Sequence, residues 1–270
     1  MKIIAHPIPK SFSICLSMFL ILALIFMDVS CTVYRNPDEP YPVKINMEMV
    51  LIPTGKFLMG INSNDIDQRP LHDVYLDAYW IDLTEVTNAH YLTCVDDGGC
   101  RPPGESQYYR DESLSDHPVV YVTWFDARDF CAWAGKRLPT ETEWEKAARG
   151  TDGRLFPWGS EPADERLANY DDNIHKTTPV GSYPAGASPY GLQDMAGNVW
   201  EWVNDWYSMD YYRTSIRKNP QGPESGDRKV LRGGSWFSIV DIVLKTHIRK
   251  KRAPDIRDYG TGFRCAFSAD

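Results

Sequence analysis

The chain has 270 residues and a formal net charge of −8, with 19 glycines, 19 prolines, 9 tryptophans and 15 tyrosines. That length supports one large domain with a substantial core, and the acidic balance makes nucleic acid a poor partner. The glycines and prolines are spread rather than clustered, which predicts a loop-rich fold of short elements with a core built largely from aromatic rings.

The first feature in chain order is a leader. Lys2 and Lys10 precede an uncharged apolar run over residues 11–27, and Asp28 ends it. A basic head followed by an apolar run is the pattern of a secretory signal peptide. The same run approaches the lower limit for a membrane-spanning helix, so an uncleaved anchor also fits. Cys31 follows Val29 and Ser30, which suits lipidation of that cysteine. All three readings of residues 1–30 export the folded part, to the periplasm, the exterior or an envelope tether. The membrane is then met only through this N-terminal segment. Residues 31–44 read as a flexible tether, with Asn36, Pro37, Asp38, Pro40 and Pro42 and little to bury. The domain is expected over residues 45–270.

Within it, strands are predicted at 49–53, 56–59, 74–76 and 79–81. Thr87 caps a helix carrying Asn88, Tyr91 and Leu92, which ends before Asp97-Gly98-Gly99. Thr123, with Asp126 three residues on, opens a second helix whose Trp124, Ala127, Phe130, Cys131 and Ala134 share a face; Gly135 stops it. Thr140 and Glu143 form a capping box for a third, with Trp144, Ala147 and Ala148 on its apolar side and Gly150 at its end. Glu141, Glu143 and Glu145 read as a solvated face and a cap. Further strands are predicted at 229–232 and 263–267. Between them, residues 245–257 carry six basic side chains interrupted by Asp255, which reads as a solvated strand or loop edge. The class is α+β.

Six cysteines are present: Cys15 and Cys31 at the leader, then Cys94, Cys100, Cys131 and Cys265 in the domain. In an exported chain an even set reads as two disulfides. The turn-forming Val-Asp-Asp-Gly-Gly between Cys94 and Cys100 favours a local loop, which leaves Cys131 for Cys265. Other pairings stay open.

The blocks 135–150 (GKRLPTETEWEKAARG), Phe156-Pro-Trp-Gly159, 191–202 (GLQDMAGNVWEW), Arg232-Gly-Gly-Ser-Trp236 and Gly262-Phe-Arg-Cys265 are distinctive. Residues 49–60 (MVLIPTGKFLMG) and Glu85-Val-Thr-Asn88 accompany them. Together, and in order from about residue 47 to the end, they resemble the formylglycine-generating enzyme, or sulfatase-modifying factor, family. The resemblance implies a C-type-lectin-like fold that binds calcium. It also implies a founding activity: copper-dependent oxidation, by molecular oxygen, of a cysteine in a sulfatase precursor to formylglycine. Many other members are accessory or binding proteins.

Active members hold copper(I) on two cysteines, three and eight residues beyond the serine of the Gly-Gly-Ser block. Counting from Ser235 gives Ser238 and Val243 here. Copper(I) is soft and wants thiolates, so these positions predict that copper is absent. Trp200 and Ser235 match residues lining the family's substrate pocket, although each also reads as core and turn. A second family disulfide would fall at Ala148 and Ile248, and both cysteines are missing together.

For calcium, the resemblance assigns the side chains of Asp194 and Glu201 with the carbonyls of Gly197 and Val199. A second set is Asn169 and Asp172 with the carbonyls of Tyr170 and Ile174. The sequence contains no nucleophile elbow, zinc helix, phosphate loop or dinucleotide fingerprint, and its histidines lack metal-ligand spacing. The expectation is an envelope binding or accessory module for a protein, peptide or glycan; the alternative is a divergent oxidase acting on sulfatase-type cysteines.

Overall fold

The computed structural model describes residues 45–63, 65–239 and 241–269; the leader, the tether, Cys15 and Cys31 lie outside them. Four short strands open the domain: β1 (Met49–Ile52), β2 (Gly55–Met59), β3 (His72–Leu76) and β4 (Tyr79–Asp82). β2 pairs with β3, and β1 pairs with β4, both antiparallel. β2 and β3 alternate buried side chains with more exposed ones, the period that a half-buried sheet face requires.

Five α-helices follow among the described residues: α1 (Asn88–Asp96), α2 (Ser106–Tyr109), α3 (Trp124–Trp133), α4 (Glu141–Arg149) and α5 (Tyr211–Thr214). The caps are those expected. Thr87 accepts from His90 N at 3.2 Å. Thr123 with Asp126, and Thr140 with Glu143, form reciprocal capping boxes that satisfy the otherwise orphaned first-turn amides. Gly150 ends α4 at φ 70°, where a side chain would be strained.

A third sheet has the order β7 (Lys250–Arg252), β6 (Lys229–Arg232), β5 (Trp200–Trp206), β8 (Thr261–Gly262), with β5 and β8 parallel. β9 (Ala266–Ser268) returns to pair with β4, so both ends of the domain are clamped to one strand. The architecture is α+β and loop-rich, as expected. The strand predicted at 263–267 begins only at Ala266, because Arg264 turns its guanidinium fully inward to the carbonyls of Asp82, Leu83 and Gln193. β5 escaped prediction because both its faces are buried and its inward residues include Glu201 and Asp205, which erases the alternation.

Both disulfides are formed. Cys94–Cys100 closes the turn after α1, and Cys131–Cys265 ties α3 to the chain end across 134 residues, with Cα atoms 5.6 Å apart. The latter sits in a core of Tyr91, Phe130 and Phe263, whose rings pack 5.4–6.4 Å apart. Ala148 is fully buried and Ile248 packs on the core, so apolar side chains occupy both positions of the missing disulfide.

Two expectations are corrected. Glu141 and Glu145 are not a solvated face: they are buried and paired. Glu141 accepts from Arg249 through both oxygens at 2.6 and 2.8 Å, and Glu145 accepts from Arg149 at 2.9 Å and Arg232 at 2.5 Å. Likewise the basic run at 245–257 is not wholly solvated, since Arg249 is its buried member. Glu145–Arg149 is a local i,i+4 pair, but Arg232 and Arg249 come from segments distant in sequence, a pairing that no local pattern encodes.

Candidate functional site

The turn leaving β6 carries Ser235 and also Ser238, which is one of the two positions singled out for copper. Gly233 and Gly234 adopt φ 96° and 81°, and a side chain on Gly234 would run into Leu244. The chain is thereby folded back at Ser235, which is fully buried. Ser235 N donates to Ser238 Oγ at 3.0 Å, Ser238 N donates to Ser235 O at 2.9 Å, and the two hydroxyl oxygens are 3.3 Å apart. Ser238 therefore closes a turn. Val243 packs its side chain between two core clusters. Neither position offers a thiolate, and all four cysteines among the described residues are in disulfides. Copper(I) does not fit this donor set. Among the described residues, no histidine or carboxylate hydrogen-bonds either hydroxyl, so nothing activates them as nucleophiles.

Trp200 lies at the start of β5, 4% exposed, with Lys250 Nζ 4.7 Å from its ring centre. Burial, with Arg252 adding to it, lowers Lys250 to about 8. The turn is stitched to two neighbouring loops. Trp236 N donates to Asn198 O, Asp172 N donates to Trp236 O, and Asp171 N donates to Ser238 O, at 2.8–2.9 Å. The positions singled out for copper thus adjoin both loops singled out for calcium.

On the first of these loops, Asp194 and Asn198 take left-handed φ near 57° and 55°, and Gly197 approaches Asn169 O too closely for any side chain. Glu201, however, is engaged. It receives Arg264 through both oxygens at 2.8 Å and Trp144 Nε1 at 2.9 Å, all fully buried. A dication bound there would have to displace that guanidinium, so the set Asp194, Gly197, Val199 and Glu201 does not fit calcium as arranged. Asp194 itself accepts from Gly181 N at 2.6 Å, and burial raises its carboxyl above the usual range.

The second set fits better. Asn169 is buried and its Oδ1 has no donor, which is what an oxygen ligand looks like without its cation. Asp172 is half-exposed, 3.1 Å from His175, and the carbonyls of Tyr170 and Ile174 belong to the same loop. Among the described residues, no three His, Cys, Asp or Glu side chains gather as a metal cluster, so carbonyl and amide oxygens would supply much of the shell. Sequence reading missed Glu85 and Arg264. Glu85 is fully buried, with no N–H or hydroxyl donor to its carboxyl, which lies beside Asp194; burial, then Asp194, raises it well above the ordinary range. The one signal for Arg264 was an arginine lodged between Phe263 and Cys265.

The sulfatase-modifying factor enzyme 1-like domain profile matches residues 37–269. The chain belongs to the sulfatase-modifying factor family. It is 38% identical over 260 residues to the serine/threonine-protein kinase pkn1 of Chlamydia caviae, covering 88% of this chain but 41% of that protein. It thus spans about two fifths of that relative's length. It is 32% identical to the formylglycine-generating enzyme of Mus musculus, covering 84% of this chain and 76% of that protein. The structure of PvdO from Pseudomonas aeruginosa superposes with a TM-score of 0.70 at 29% identity, covering 82% of this chain and 94% of the other. Family membership accounts for the fold, and Ser238 stands in the turn after β6 with Val243 beyond it.

Proposed function

We propose that this protein is an exported, non-oxidase member of the family, a binding or accessory module of the cell envelope for a protein, peptide or glycan. The observation carrying this reading is the pair Ser238 and Val243, an alcohol that closes a turn and an aliphatic side chain committed to the core. Sulfur donors are needed for copper(I), and every described cysteine is already bonded. Export is supported by the two disulfides and by the basic-then-apolar leader. Calcium is part of the proposal, held by Asn169 and Asp172 with the carbonyls of Tyr170 and Ile174. It would act as a structural clamp between the loop and the Ser235–Ser238 turn.

A copper(I) titration of the purified protein, paired with mass spectrometry of a sulfatase-type cysteine peptide, tests the reading. The expected result is no stoichiometric copper and no formylglycine. Tight binding abolished by thiol blocking, or conversion of the peptide, refutes it. The retained Trp200 and Ser235 favour the second reading, a divergent oxidase, and that outcome would establish it.

A further inference from the structure

Although the chain is acidic overall, one face collects cations. Two adjoining cavities share Tyr259. One, of about 550 Å³, is lined by Arg228, Lys251 and Arg252 beside Phe237. The other, of about 370 Å³, is lined by Lys176 beside Tyr108, Tyr121 and Trp236. The single carboxylate lining either cavity, Asp258, is ion-paired to Arg252. Arg228, Lys251 and Lys176 are exposed and make no ion pair among the described residues.

Between the cavities runs an aromatic ridge. Trp236, Phe237 and Tyr259 pack with ring centres 5.0–5.6 Å apart, and Tyr259 is 48% exposed. The ridge is built into the backbone: a side chain on Gly260 would occupy the space of the Phe237 ring. Tyr121, in the second cavity, holds φ at 58°, a conformation that bulky residues rarely adopt. Its backbone is fixed there by hydrogen bonds to Asp258 O and from Gly104 N, and its ring stacks on Tyr108. Strain of this kind persists where the surroundings over-determine it, and ligand clamps are one such place.

We propose that this face binds an acidic polysaccharide. A pyranose ring offers an apolar C–H face to an aromatic side chain, and an acidic one carries carboxylate or sulfate groups at its rim. The ridge supplies the ring faces, and Arg228, Lys251 and Lys176 supply the countercharges on either side. An acidic peptide would use the cations but has no need of the ridge. The inference rests on the binding-module reading and names its ligand class.

The test is calorimetric titration of the full-length protein with heparin and polygalacturonate fragments, neutral dextran fragments and poly-glutamate. At least one acidic polysaccharide is expected to bind, weakening as salt rises, with dextran silent and poly-glutamate weaker. Tyr259→Ala and Arg228→Glu, both at exposed positions, should each reduce affinity about tenfold. Unchanged circular dichroism will show that the variants are folded. Equal binding of poly-glutamate with Tyr259→Ala unaffected overturns the proposal, because charge alone then accounts for it. So does preferential binding to anionic phospholipid vesicles. Absence of binding to every probe overturns it as well and leaves Lys251 as a guard on an edge strand. Copper titration of the same sample separates the two readings. Saccharide failure without copper refutes only the ligand class, whereas copper binding refutes the binding module itself.

Discussion

At the residue scale, the most consequential side chains are buried charges. Arg249 is fully buried and donates Nε and Nη2 to Glu141, while Nη1 reaches Asp67 O and Ser208 O. Removing Arg249 leaves Glu141 desolvated, with only the longer 3.3 Å contact from Arg232. Arg249→Met should therefore destabilise the domain by roughly 3–5 kcal/mol, read from urea unfolding midpoints. For Glu145, burial works against ionisation, but Arg232 and Arg149 outweigh it and hold the carboxyl below its ordinary range. His247, in the same cluster, is pushed down to about 4 by burial, with the neighbouring arginines adding to the effect. A lowered histidine contributes stability above its unfolded value of 6.5 and loses it as pH falls through about 4. Asp205 has the opposite sign: burial, with Glu141 nearby, raises it to about 8, so its contribution is present in acid and is lost as pH rises towards that value. The difference between wild type and His247→Gln isolates the histidine. Between pH 6.5 and 4 the wild type should lose more melting temperature than the variant, and parallel curves would show that His247 does not titrate as described.

At the element scale, the long-range disulfide is the main tie. α3 presents Cys131 on its buried face, and Cys265 lies between the inward-turned Arg264 and β9. Closing a loop of 134 residues restricts the unfolded chain, and the chain-entropy estimate for the bond is about 5 kcal/mol. Cys131→Ala with Cys265→Ala should lower stability by that order. The matching double variant at Cys94 and Cys100 opens a far smaller loop, of separation 6, and should lose less. If the two double variants unfold at the same denaturant concentration, the entropic account fails. β5 belongs to this scale too. Its inward-facing Glu201 is held by Arg264 and Trp144, so the strand is fixed by charge as well as by packing.

At the scale of the whole molecule, loops rather than regular elements surround the Gly-Gly-Ser turn, and they are held by backbone hydrogen bonds to one another. A cation shared among such loops would stabilise the fold through mass action. Chelation is therefore expected to lower the melting temperature of protein prepared with calcium. Asp172→Ala should abolish that difference while Glu201→Gln disrupts stability with or without chelator, because Glu201 serves Arg264. A melting curve indifferent to chelation would remove calcium from the account.

The capped helices and the early strands were legible in the sequence, because each depends on residues close together in the chain; the Cys94–Cys100 loop was favoured on the same ground, while Cys131–Cys265, 134 residues apart, followed only as the remaining pair. Thr140 needs only Glu143 to make a cap, and no environment turns valine into a metal ligand. What only the tertiary structure decided was the partner of each buried charge. Glu141 meets Arg249 across 108 residues and Glu201 meets Arg264 across 63. Burial is cooperative and non-local, so whether a carboxylate faces water, a cation or an arginine is fixed only once distant segments have packed together.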